Sequence, residues 1–338
     1  MVNSLSMACC GDIHLNLRAK KLFKWERNRF LSLMTKLSQS PCSVIALTGD
    51  VFDLPHITLD EQQTFYEGIQ ILKDAEKDVY ILGGNHENLD KTLTTFDKIP
   101  HIGFTYIKKG KLFSSTYCDV HCAEHLSIHQ ATDIALDTKK TNILLSHFRC
   151  DLGMIKEEVN VQYISEKFDY VIASDIHYHH KPFDNVYYTS SPYGLHYSPK
   201  TTYGFLEITV EKAKVEVKTV LLDLPSKYKI IATPNTAGNV MKYATKHDDY
   251  ISIQVTGTPQ ELEDLPELTS KNITYNKKVS EIDDDVMIGM VNELADSGKF
   301  DVFDTIKKLV RANVMGQGGE YLLTVGEEQI DEIRKEIG

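Results

Sequence analysis

The sequence predicts an α/β fold in which two sheets pack into a sandwich, followed by a small α+β cap domain and C-terminal helices. Short apolar runs alternate with helical segments up to about residue 175, which is typical of βαβ units and of a sheet covered by helices. Residues 182–222 are rich in β-forming side chains and carry little helical signal, as expected for a second sheet that packs on the first. The chain has 338 residues, 42% of them hydrophobic, and can therefore bury a substantial core in roughly two domains.

Five of the apolar runs end in the same way, with small residues that lead to a side chain able to bind a metal ion. In chain order these endings are Asp12, Asp50, Asn85 with His86, His147 and Asp175. Because the carboxyl ends of the strands in an open α/β sheet converge on one crevice, side chains from distant parts of the chain can meet there. The pattern therefore predicts a single site built from strand ends.

The tripeptide Asp-Ile-His stands at two of these endings, at residues 12–14 and 175–177. On extended backbone the first and third residues project to one face while the middle residue turns away. We therefore expect both aspartates and both histidines to face the site and both isoleucines to pack inward.

The segment between the second and third endings predicts a helix over residues 58–75. Thr58 and Glu61 form the sequence pattern of a capping box, and Phe65 and Ile69 recur at helical spacing.

The second half of the chain predicts strands first and helices last. Residues 226–275 have the composition of a small α+β module, whose best strand is 250–257, and residues 281–338 are mainly amphipathic and helical. We therefore expect three domains: an α/β domain at 7–225, an α+β cap at 226–280 and C-terminal helices at 281–338.

The charge of the chain limits how it could bind nucleic acid. A formal net charge of −11 argues against a protein that coats DNA irrespective of sequence, since such a protein needs a basic surface. Residues 18–29 nevertheless carry six basic side chains against one glutamate, directly after the first Asp-Ile-His. Arg18, Lys20 and Lys21 are therefore candidates for binding a phosphate, and a solvated helix face is the alternative interpretation.

The chain shows no membrane or export signal. No run approaches the ~18 apolar residues of a membrane span, and the first residues lack the pattern of a signal peptide. We expect a cytoplasmic protein with no membrane partner and with reduced cysteines. Cys118, His121, Cys122 and His125 could in principle bind zinc, but their segment alternates like a strand and lacks the loop that separates ligand pairs in zinc sites.

The metal-binding side chains form a set large enough for two ions that share a bridging carboxylate. The set is Asp12, His14, Asp50, Asn85, His147, Asp175 and His177. Mixed oxygen and nitrogen ligands suit Mn, Fe or Zn, and a pair of such ions can activate water and hold a phosphate.

The motifs that carry these residues identify a family resemblance. The strings GDIH, GDVFD, GNHE, SH and SDIH, in this order, resemble the calcineurin-like metallophosphoesterases. Within that superfamily, GDVFDL, FDYVIASDIH and NVYYTSSP resemble SbcD-type recombination nucleases, in a bacteriophage-encoded version that would act in the host cytoplasm. The motifs cover about residues 7–225, and beyond them the resemblance consists only of the order of the parts.

The resemblance implies a metallophosphoesterase fold and a role for each motif residue. Asp12, His14, Asp50 and His177 would bind the first metal ion, while Asn85, His147 and Asp175 would join Asp50 around the second. His86 would contact the scissile phosphate and protonate the leaving oxygen, with a merely supporting role as the alternative. Asp53 would support the site, with a simple turn before Pro55 as an equal alternative.

Asp175 departs from the family pattern, which has a Gly-His-x-His motif where this chain has Ser-Asp-Ile-His. A third carboxylate would lower the positive charge of the site and favour a hard ion, so we expect Mn²⁺, with Mg²⁺ or Fe²⁺ as alternatives. In another register, His177 and His179 would form the histidine pair. We favour Asp175 because FDYVIAS aligns without a gap.

The resemblance further implies the activity and the partners. The expected activity is an exonuclease on duplex ends and an endonuclease on single strands, in recombination, repair or replication. The expected partners are DNA, reached by the cap domain, an SbcC-like coiled-coil ATPase docked on residues 281–338, and a second copy of the chain. The rival interpretations are a phosphatase for small phosphoesters and a scaffold of the same fold that has lost catalysis.

Overall fold

The computed structural model describes residues 4–150, 157–195, 202–212, 214–234, 237, 249–265 and 273–279. The chain divides into two compact units, Met1–Tyr228 and Lys229–Gly338. The predicted helices of 281–338 lie outside the described residues, and the predicted domain boundaries stay predictions.

The secondary structure elements follow the predicted alternation of strands and helices. In chain order the strands are β1 (Ser4–Cys10), β2 (Val44–Thr48), β3 (Asp78–Leu82), β4 (Thr105–Tyr106), β5 (Lys109–Ser114), β6 (Cys118–Ala123), β7 (Thr141–His147), β8 (Tyr170–Ser174), β9 (Val186–Tyr188), β10 (Gly204–Glu211), β11 (Lys214–Leu221), β12 (Lys227–Ala232), β13 (Tyr250–Gly257) and β14 (Ile273–Val279). The helices are α1 (Phe23–Ser38), α2 (Leu59–Asp74), α3 (Val161–Lys167) and α4 (Pro259–Glu263), with short 3₁₀ helices at Thr95–Asp97 and His125–Asp133.

Two sheets form the first unit. A six-stranded sheet has the order β11-β10-β1-β2-β3-β4, and a five-stranded sheet has the order β5-β6-β7-β8-β9. Strands β1 to β4 run parallel, as do β6 to β9, so both sheets direct the carboxyl ends of their central strands to one side. This arrangement is the predicted two-sheet α/β sandwich, which is confirmed.

The alternation of side chains along β1 shows how the layers pack. Met7 and Cys9 belong to the core between the sheets, together with buried residues of β6, β7 and β8. Ala8 and Cys10 face the other way, into a core shared with α1 and α2. A third core behind the five-stranded sheet includes Ile164 of α3. The order of layers is therefore helix, sheet, sheet, helix, and each fully buried large apolar side chain contributes about 1.5–3 kcal/mol.

The membership of the sheets differs in one respect from the sequence prediction. We expected residues 182–222 to form the second sheet, but β10 and β11 extend the first sheet next to β1, and only β9 joins the second. Strand β10 pairs antiparallel with β1, with Met7 opposite Ile208. A strand with one buried face shows the same alternation of apolar and polar residues in either sheet. The sequence pattern therefore does not reveal which strand it pairs with.

Helix α2 matches the predicted helix and its cap. The hydroxyl of Thr58 accepts a hydrogen bond from the Glu61 amide at 3.2 Å, and the Glu61 carboxylate accepts one from the Thr58 amide at 2.7 Å. The same buried carboxylate also accepts from the amide of Leu17 at 3.0 Å. The capping box therefore fixes the helix and the loop that follows the first Asp-Ile-His.

A buried ion network fastens α1 to the loop before β10. Arg29, whose side chain is 1% exposed, donates to the carboxylate of Glu26 at 2.5 Å and to the carbonyl of Gly194 at 3.3 Å. Its guanidinium lies 3.8 Å from the ring centre of Tyr193, a cation–π distance. Glu26 also forms an ion pair with Lys227. The single buried carboxylate is therefore shared by two cations.

A second buried carboxylate, Asp119 of β6, anchors the edge of the five-stranded sheet. Its side chain is 1% exposed and accepts hydrogen bonds from Lys111 at 2.6 Å, Ser114 at 2.6 Å and Lys140 at 3.0 Å. Burial alone would raise the pKa of Asp119, but these donors lower it to about 2. The ionised carboxylate is therefore part of the folded state at neutral pH.

The second unit is described in part. Strands β12, β13 and β14 form a three-stranded sheet in that order, and β13 matches the strand predicted at 250–257. Helix α4 begins with a capping box between Thr258 and Glu261.

Two further sequence expectations can be compared with the structure. In the described residues no helix is long and apolar enough to cross a membrane. All six cysteines are buried, and none of them is in a disulfide.

Candidate metal centre

The predicted metal-binding side chains lie together where the two sheets face each other. They follow the carboxyl ends of β1, β2 and β3 in the first sheet and of β7 and β8 in the second. In three groups the potential ligand atoms lie within 4.8 Å of one another. The groups are Asp12 with His14 and His177, Asp12 with Asp50 and His147, and His14 with Asp50 and His86.

The backbone at these strand ends is turned, whereas we expected it to be extended. Asp12, His14, Asp50 and Asp175 have φ angles of 53°, 51°, 52° and 101°, in the left-handed region that costs most residues about 1–2 kcal/mol. The prediction of extended backbone is therefore wrong, although Ile13 does pack inward and is fully buried. Strained backbone of this kind concentrates at functional sites, where the surrounding structure holds it in place.

Backbone hydrogen bonds hold the first two loops against each other. The amides of Asp12 and Ile13 donate to the carbonyls of Gly49 and Asp50 at 3.1 and 2.8 Å, and the His14 amide also donates to the Asp50 carbonyl, at 2.9 Å. On the other side, Ser191 donates its hydroxyl proton to the carbonyl of Asp12 at 3.1 Å. These bonds offset the strain and hold in place the loops that carry the side chains.

Two glycines leave room for the site side chains. Gly49 has φ = 98°, and a Cβ atom there would clash with the imidazole of His147. A Cβ atom on Gly84 would clash with the carboxylate of Asp50. Both positions therefore require glycine, because side chains of the cluster lie too close to the backbone there for any larger residue.

Glu87 is a buried carboxylate that connects two of the loops. It accepts hydrogen bonds from the amides of Gly84, Phe52 and Asp50 at 2.7, 2.8 and 3.0 Å. Burial, followed by the charge of Asp50, raises the pKa of Glu87 to about 7. The side chain positions Asp50 through its backbone and belongs to none of the three groups.

Asp50 lies in the centre of the cluster. One carboxylate oxygen is 3.5 Å from Nε2 of His14 and the other is 3.5 Å from Nε2 of His147. Burial alone would raise the pKa of Asp50, but the charge and hydrogen bond of His147, followed by the charges of His14 and His86, hold it well below its ordinary value. Its two oxygens face different groups, which is the geometry that a carboxylate bridging two ions requires.

The remaining charges show that the side chains fit cations. Burial and the nearby charges of Asp50 and Asp175 raise the pKa of Asp12 well above its ordinary value, despite the opposing effect of His147. At the other end of the cluster, the Nε2 atoms of His14 and His177 face each other at 3.2 Å. Crowded carboxylates and converging imidazole nitrogens are the donors that divalent ions such as Mn²⁺, Fe²⁺ or Zn²⁺ bind.

Asn85 belongs to the same cluster. One terminal atom of its amide lies 2.9 Å from Nε2 of His147, 3.1 Å from Asp175 Oδ1 and 3.3 Å from Asp50 Oδ2. An amide oxygen at this position could complete a metal site that these three residues form.

His86 lies at the exposed side of the cluster. Its Nδ1 is 2.7 Å from the carbonyl oxygen of Asp53, and its ring contacts the His14 ring edge-on at a centroid distance of 4.5 Å. The side chain is 38% exposed, whereas that of Asp50 is 1% exposed. A carbonyl can only accept, so Nδ1 carries a proton in this bond, and Nε2 lies on the other side of the ring, 4.0 Å from Oδ2 of Asp50.

Asp53 supports two histidines of the site. Its Oδ1 lies 3.3 Å from Nδ1 of His14 and 3.8 Å from Nδ1 of His86, and its Oδ2 accepts a hydrogen bond from Asn16 at 2.6 Å. Burial alone would raise the pKa of Asp53, but the hydrogen bonds of His14 and Asn16 hold it well below its ordinary value. The geometry is that of a carboxylate that orients ligands.

Asp175 faces both the cluster and an arginine. Its Oδ1 lies 3.8 Å from Nε2 of His147, while its Oδ2 accepts a hydrogen bond from Nε of Arg149 at 2.7 Å. Neither Asp175 nor its alternative His179 belongs to the three groups found in the described residues, but Asp175 lies 3.1 Å from the Asn85 amide and 3.8 Å from His147. Both ring nitrogens of His179 are buried without a hydrogen-bond partner among the described residues. The placement of the two side chains favours Asp175.

The three basic residues predicted to bind a phosphate, Arg18, Lys20 and Lys21, differ in their surroundings. The guanidinium of Arg18 donates to the carbonyl of His56 and lies 3.7 Å from Glu61, so it is already engaged within the protein. Lys20 and Lys21 are exposed. Their role in binding substrate stays a prediction.

The alternative zinc ligands of β6 do not form a group. All residues of β6 are buried, and His121 lies 3.1 Å from the side-chain oxygen of Asn142. His125 lies beyond the strand and contacts Glu158 at 3.4 Å.

Sequence reasoning missed three residues that shape the site. Glu87 stands in the quoted GNHE motif, which could have identified it, and Asn16 lies two residues after His14. Arg149 follows His147 at the same spacing, but nothing in the sequence signals that it meets Asp175.

Comparison with known proteins establishes the family. The sequence profile named calcineurin-like phosphoesterase matches residues 5–210. The chain therefore belongs to the calcineurin-like phosphoesterase family, whose members the profile describes as acting on phosphoesters. No curated protein matches the chain.

Two of the solved structures that are similar to the chain are distant from it in sequence. A dimetal phosphatase from Danio rerio is 10% identical over 65% of this chain and 99% of its own, with a TM-score of 0.40. A cold-active protein-tyrosine phosphatase of a psychrophilic Shewanella species is 11% identical over 63% of this chain and 80% of its own, with a TM-score of 0.29. Both likenesses are too weak to inform on the activity.

Proposed function

We propose that this protein is the nuclease subunit of an SbcD-type complex, which hydrolyses DNA phosphodiesters with two divalent ions, Mn²⁺ in preference to Zn²⁺. The observation that carries the proposal is the meeting of aspartates and histidines from five strand ends in one cluster with the exposed His86 beside it. The motif strings FDYVIASDIH and NVYYTSSP support the narrower assignment to this type.

The two ions would be held by overlapping sets of side chains. Asp12, His14, Asp50 and His177 would bind the first, and Asp50, Asn85, His147 and Asp175 would bind the second. The position of Asp50 between His14 and His147, 3.5 Å from each, supports its role as the shared ligand. When bound, such ions supply Lewis acidity and lower the pKa of water.

The other side chains would act on the substrate. As an imidazolium, His86 would keep one proton at Nδ1 on the Asp53 carbonyl and would donate the other from Nε2 to the leaving oxygen of the phosphate, ending as the neutral imidazole. Asp53 would keep His14 and His86 in this orientation. Lys20 and Lys21 would lie along the DNA backbone that leads to the cluster.

The preference for Mn²⁺ rests on the ligand charges. The cluster contains the carboxylates of Asp12, Asp50 and Asp175, and oxygen-rich sets favour harder ions than imidazole-rich sets do. Faster hydrolysis with Zn²⁺ than with Mn²⁺ at equal loading would contradict this part of the proposal.

The partners follow from the same assignment. We propose that the cap domain reaches DNA, that residues 281–338 dock an SbcC-like ATPase and that the protein can form a homodimer. Co-purification of an SbcC-like ATPase with the full chain, and its loss when residues 281–338 are deleted, tests the docking.

The decisive experiment compares substrates with one purified protein. End-labelled duplex and single-stranded DNA, bis(p-nitrophenyl) phosphate and p-nitrophenyl phosphate are each incubated with Mn²⁺, with and without the ATPase partner. We expect DNA cleavage that Asp50→Asn abolishes and that the matched surface variant Asp60→Asn retains.

Two other outcomes would support the alternative functions. Hydrolysis of p-nitrophenyl phosphate far above that of DNA would indicate a phosphatase for small phosphoesters. Retention of metal without hydrolysis of any of these substrates, with or without the partner, would indicate a scaffold.

A further inference from the structure

The side chain of Arg149 lies at the edge of the metal centre and has no role in the mechanism given above. Its Nε donates to Asp175 Oδ2 at 2.7 Å, and its Nη2 lies 3.4 Å from Asp175 Oδ1. The same Nη2 is 3.8 Å from a carboxylate oxygen of Glu158. The side chain is 29% exposed and is therefore partly accessible to solvent.

The backbone fixes this arginine next to the cluster. Strands β7 and β8 pair with His147 opposite Ser174, so the residues that follow the two strand ends are neighbours. The amide of Phe148 donates to the Ser174 carbonyl at 3.2 Å, and its side chain is fully buried. The amide of Arg149 donates to Glu158 at 3.1 Å. The guanidinium is therefore presented from a defined position.

Arg149 brings a positive charge to a cluster that is rich in carboxylates. Asp12, Asp50 and Asp175 bring three carboxylates into a buried site. Among the described lysines and arginines, Arg149 is the one that hydrogen-bonds to any of them. It therefore offsets the negative charge of Asp175, the carboxylate that distinguishes this site.

We propose that Arg149 binds the substrate phosphate, with Asp175 holding one edge of the guanidinium and the other edge contacting a non-bridging phosphate oxygen. No described residue accepts a hydrogen bond from Nη1, and the planar fork of arginine lets one edge bind a carboxylate while the other binds an oxyanion. This inference rests on the proposed phosphoesterase function and adds to it the residue that compensates for Asp175.

The test measures phosphate binding and metal binding separately, on the Mn²⁺-loaded full chain. Inorganic phosphate is titrated calorimetrically into the wild type, Arg149→Gln, Arg149→Lys and the control Arg27→Gln, whose arginine pairs with Glu67 on the packed helices α1 and α2. From the strength of a charge-assisted hydrogen bond, we expect Arg149→Gln to raise the Kd of phosphate about 10- to 100-fold. Bound Mn²⁺ should stay at the wild-type amount, because removing a positive charge does not weaken cation binding.

Arg149→Lys should bind phosphate with intermediate affinity, since it keeps the charge but loses the fork. The control should match the wild type. If Arg149→Gln fails to fold, Arg149→Lys carries the test, with an expected rise in the phosphate Kd of about 3- to 10-fold at full Mn²⁺ content.

Two results would overturn the inference. One is a phosphate Kd in the folded variant within about twofold of the wild type. The other is a parallel loss of Mn²⁺ and phosphate, which would mean that Arg149 merely holds the two loops together. DNA cleavage by the wild type is measured separately: if it is absent while Arg149→Gln still weakens phosphate binding, the proposed nuclease function fails and this inference stands.

Discussion

Replacing His86 by asparagine separates a role in proton transfer from a role in metal binding. The Nδ1 atom of His86 is 2.7 Å from the Asp53 carbonyl, and an asparagine amide can donate from nearly the same position. The variant therefore keeps the anchoring hydrogen bond and removes Nε2, which lies 4.0 Å from the nearer carboxylate oxygen of Asp50. Because the ring is partly exposed, its removal leaves no large cavity.

The expected effect follows from the task that Nε2 would perform. Positioned general acids contribute about 10²- to 10⁴-fold to a rate, so we expect kcat to fall by this factor, or by about 3–5 kcal/mol in activation free energy. The Mn²⁺ content should not change. The assay is steady-state cleavage of a labelled DNA oligonucleotide by the Mn²⁺-loaded protein, with metal content measured on the same sample by elemental analysis.

A matched control is available in the same unit. His101 also places a ring nitrogen, Nε2, 2.8 Å from a backbone carbonyl, that of Phe96, but it belongs to none of the metal-binding groups. His101→Asn should therefore leave kcat unchanged. The reasoning would be refuted if His86→Asn lost one bound ion per chain, which would make His86 a ligand with His14 and Asp50, or if kcat fell less than about tenfold.

Three further predictions concern other buried charges. Asp175→Ala should remove one bound Mn²⁺ per chain whereas His179→Ala should remove none, and elemental analysis showing the reverse would assign the ligand to His179. Glu26→Gln should lower the free energy of unfolding in urea by about 3–5 kcal/mol, because it leaves the charge of Arg29 buried and unpaired. Arg29→Met should lower it less, because Glu26 keeps its ion pair with Lys227. Equal losses of stability in the two variants would contradict this reasoning. The pKa of Asp119 is lowered from an ordinary 3.8 to about 2, so its stabilisation of about 1–2 kcal/mol is complete above pH ~5 and is lost progressively as the pH falls towards ~1. In Asp119→Asn the free energy of unfolding should therefore depend less on pH in this window. If its decrease at acid pH were the same as in the wild type, the ion pairs of Asp119 would not contribute to stability as proposed.

The cluster was largely predictable because its side chains stand at the ends of apolar runs. Parallel strands must direct their carboxyl ends to one side, so the endings at Asp12, Asp50 and His147 could be assigned to one site without knowledge of the sheet order. The cap of α2 was predictable for a similar reason, since both of its partners, Thr58 and Glu61, lie within one helical turn.

The features that escaped prediction depend on contacts between distant segments. Strand alternation does not show which sheet a strand joins, and therefore the placement of β10 beside β1 could not be predicted. The left-handed backbone at Asp12 and His14 carries no glycine signal, because hydrogen bonds from the amides of residues 12–15 to the carbonyls of residues 49–51 impose it. Arg149 and Asp175 are 26 residues apart and meet only because β7 and β8 are adjacent.

The position of the site between two sheets links metal binding to the packing of the whole unit. Asp12 and Asp50 follow strands of the first sheet, whereas His147 and Asp175 follow strands of the second. Any ion held by both pairs must therefore lie at the interface between the two sheets. The apolar core between the sheets sets the spacing of this interface. Since an ion that binds only the folded state stabilises it in proportion to the logarithm of its concentration, the same side chains that would serve catalysis would also join the two sheets.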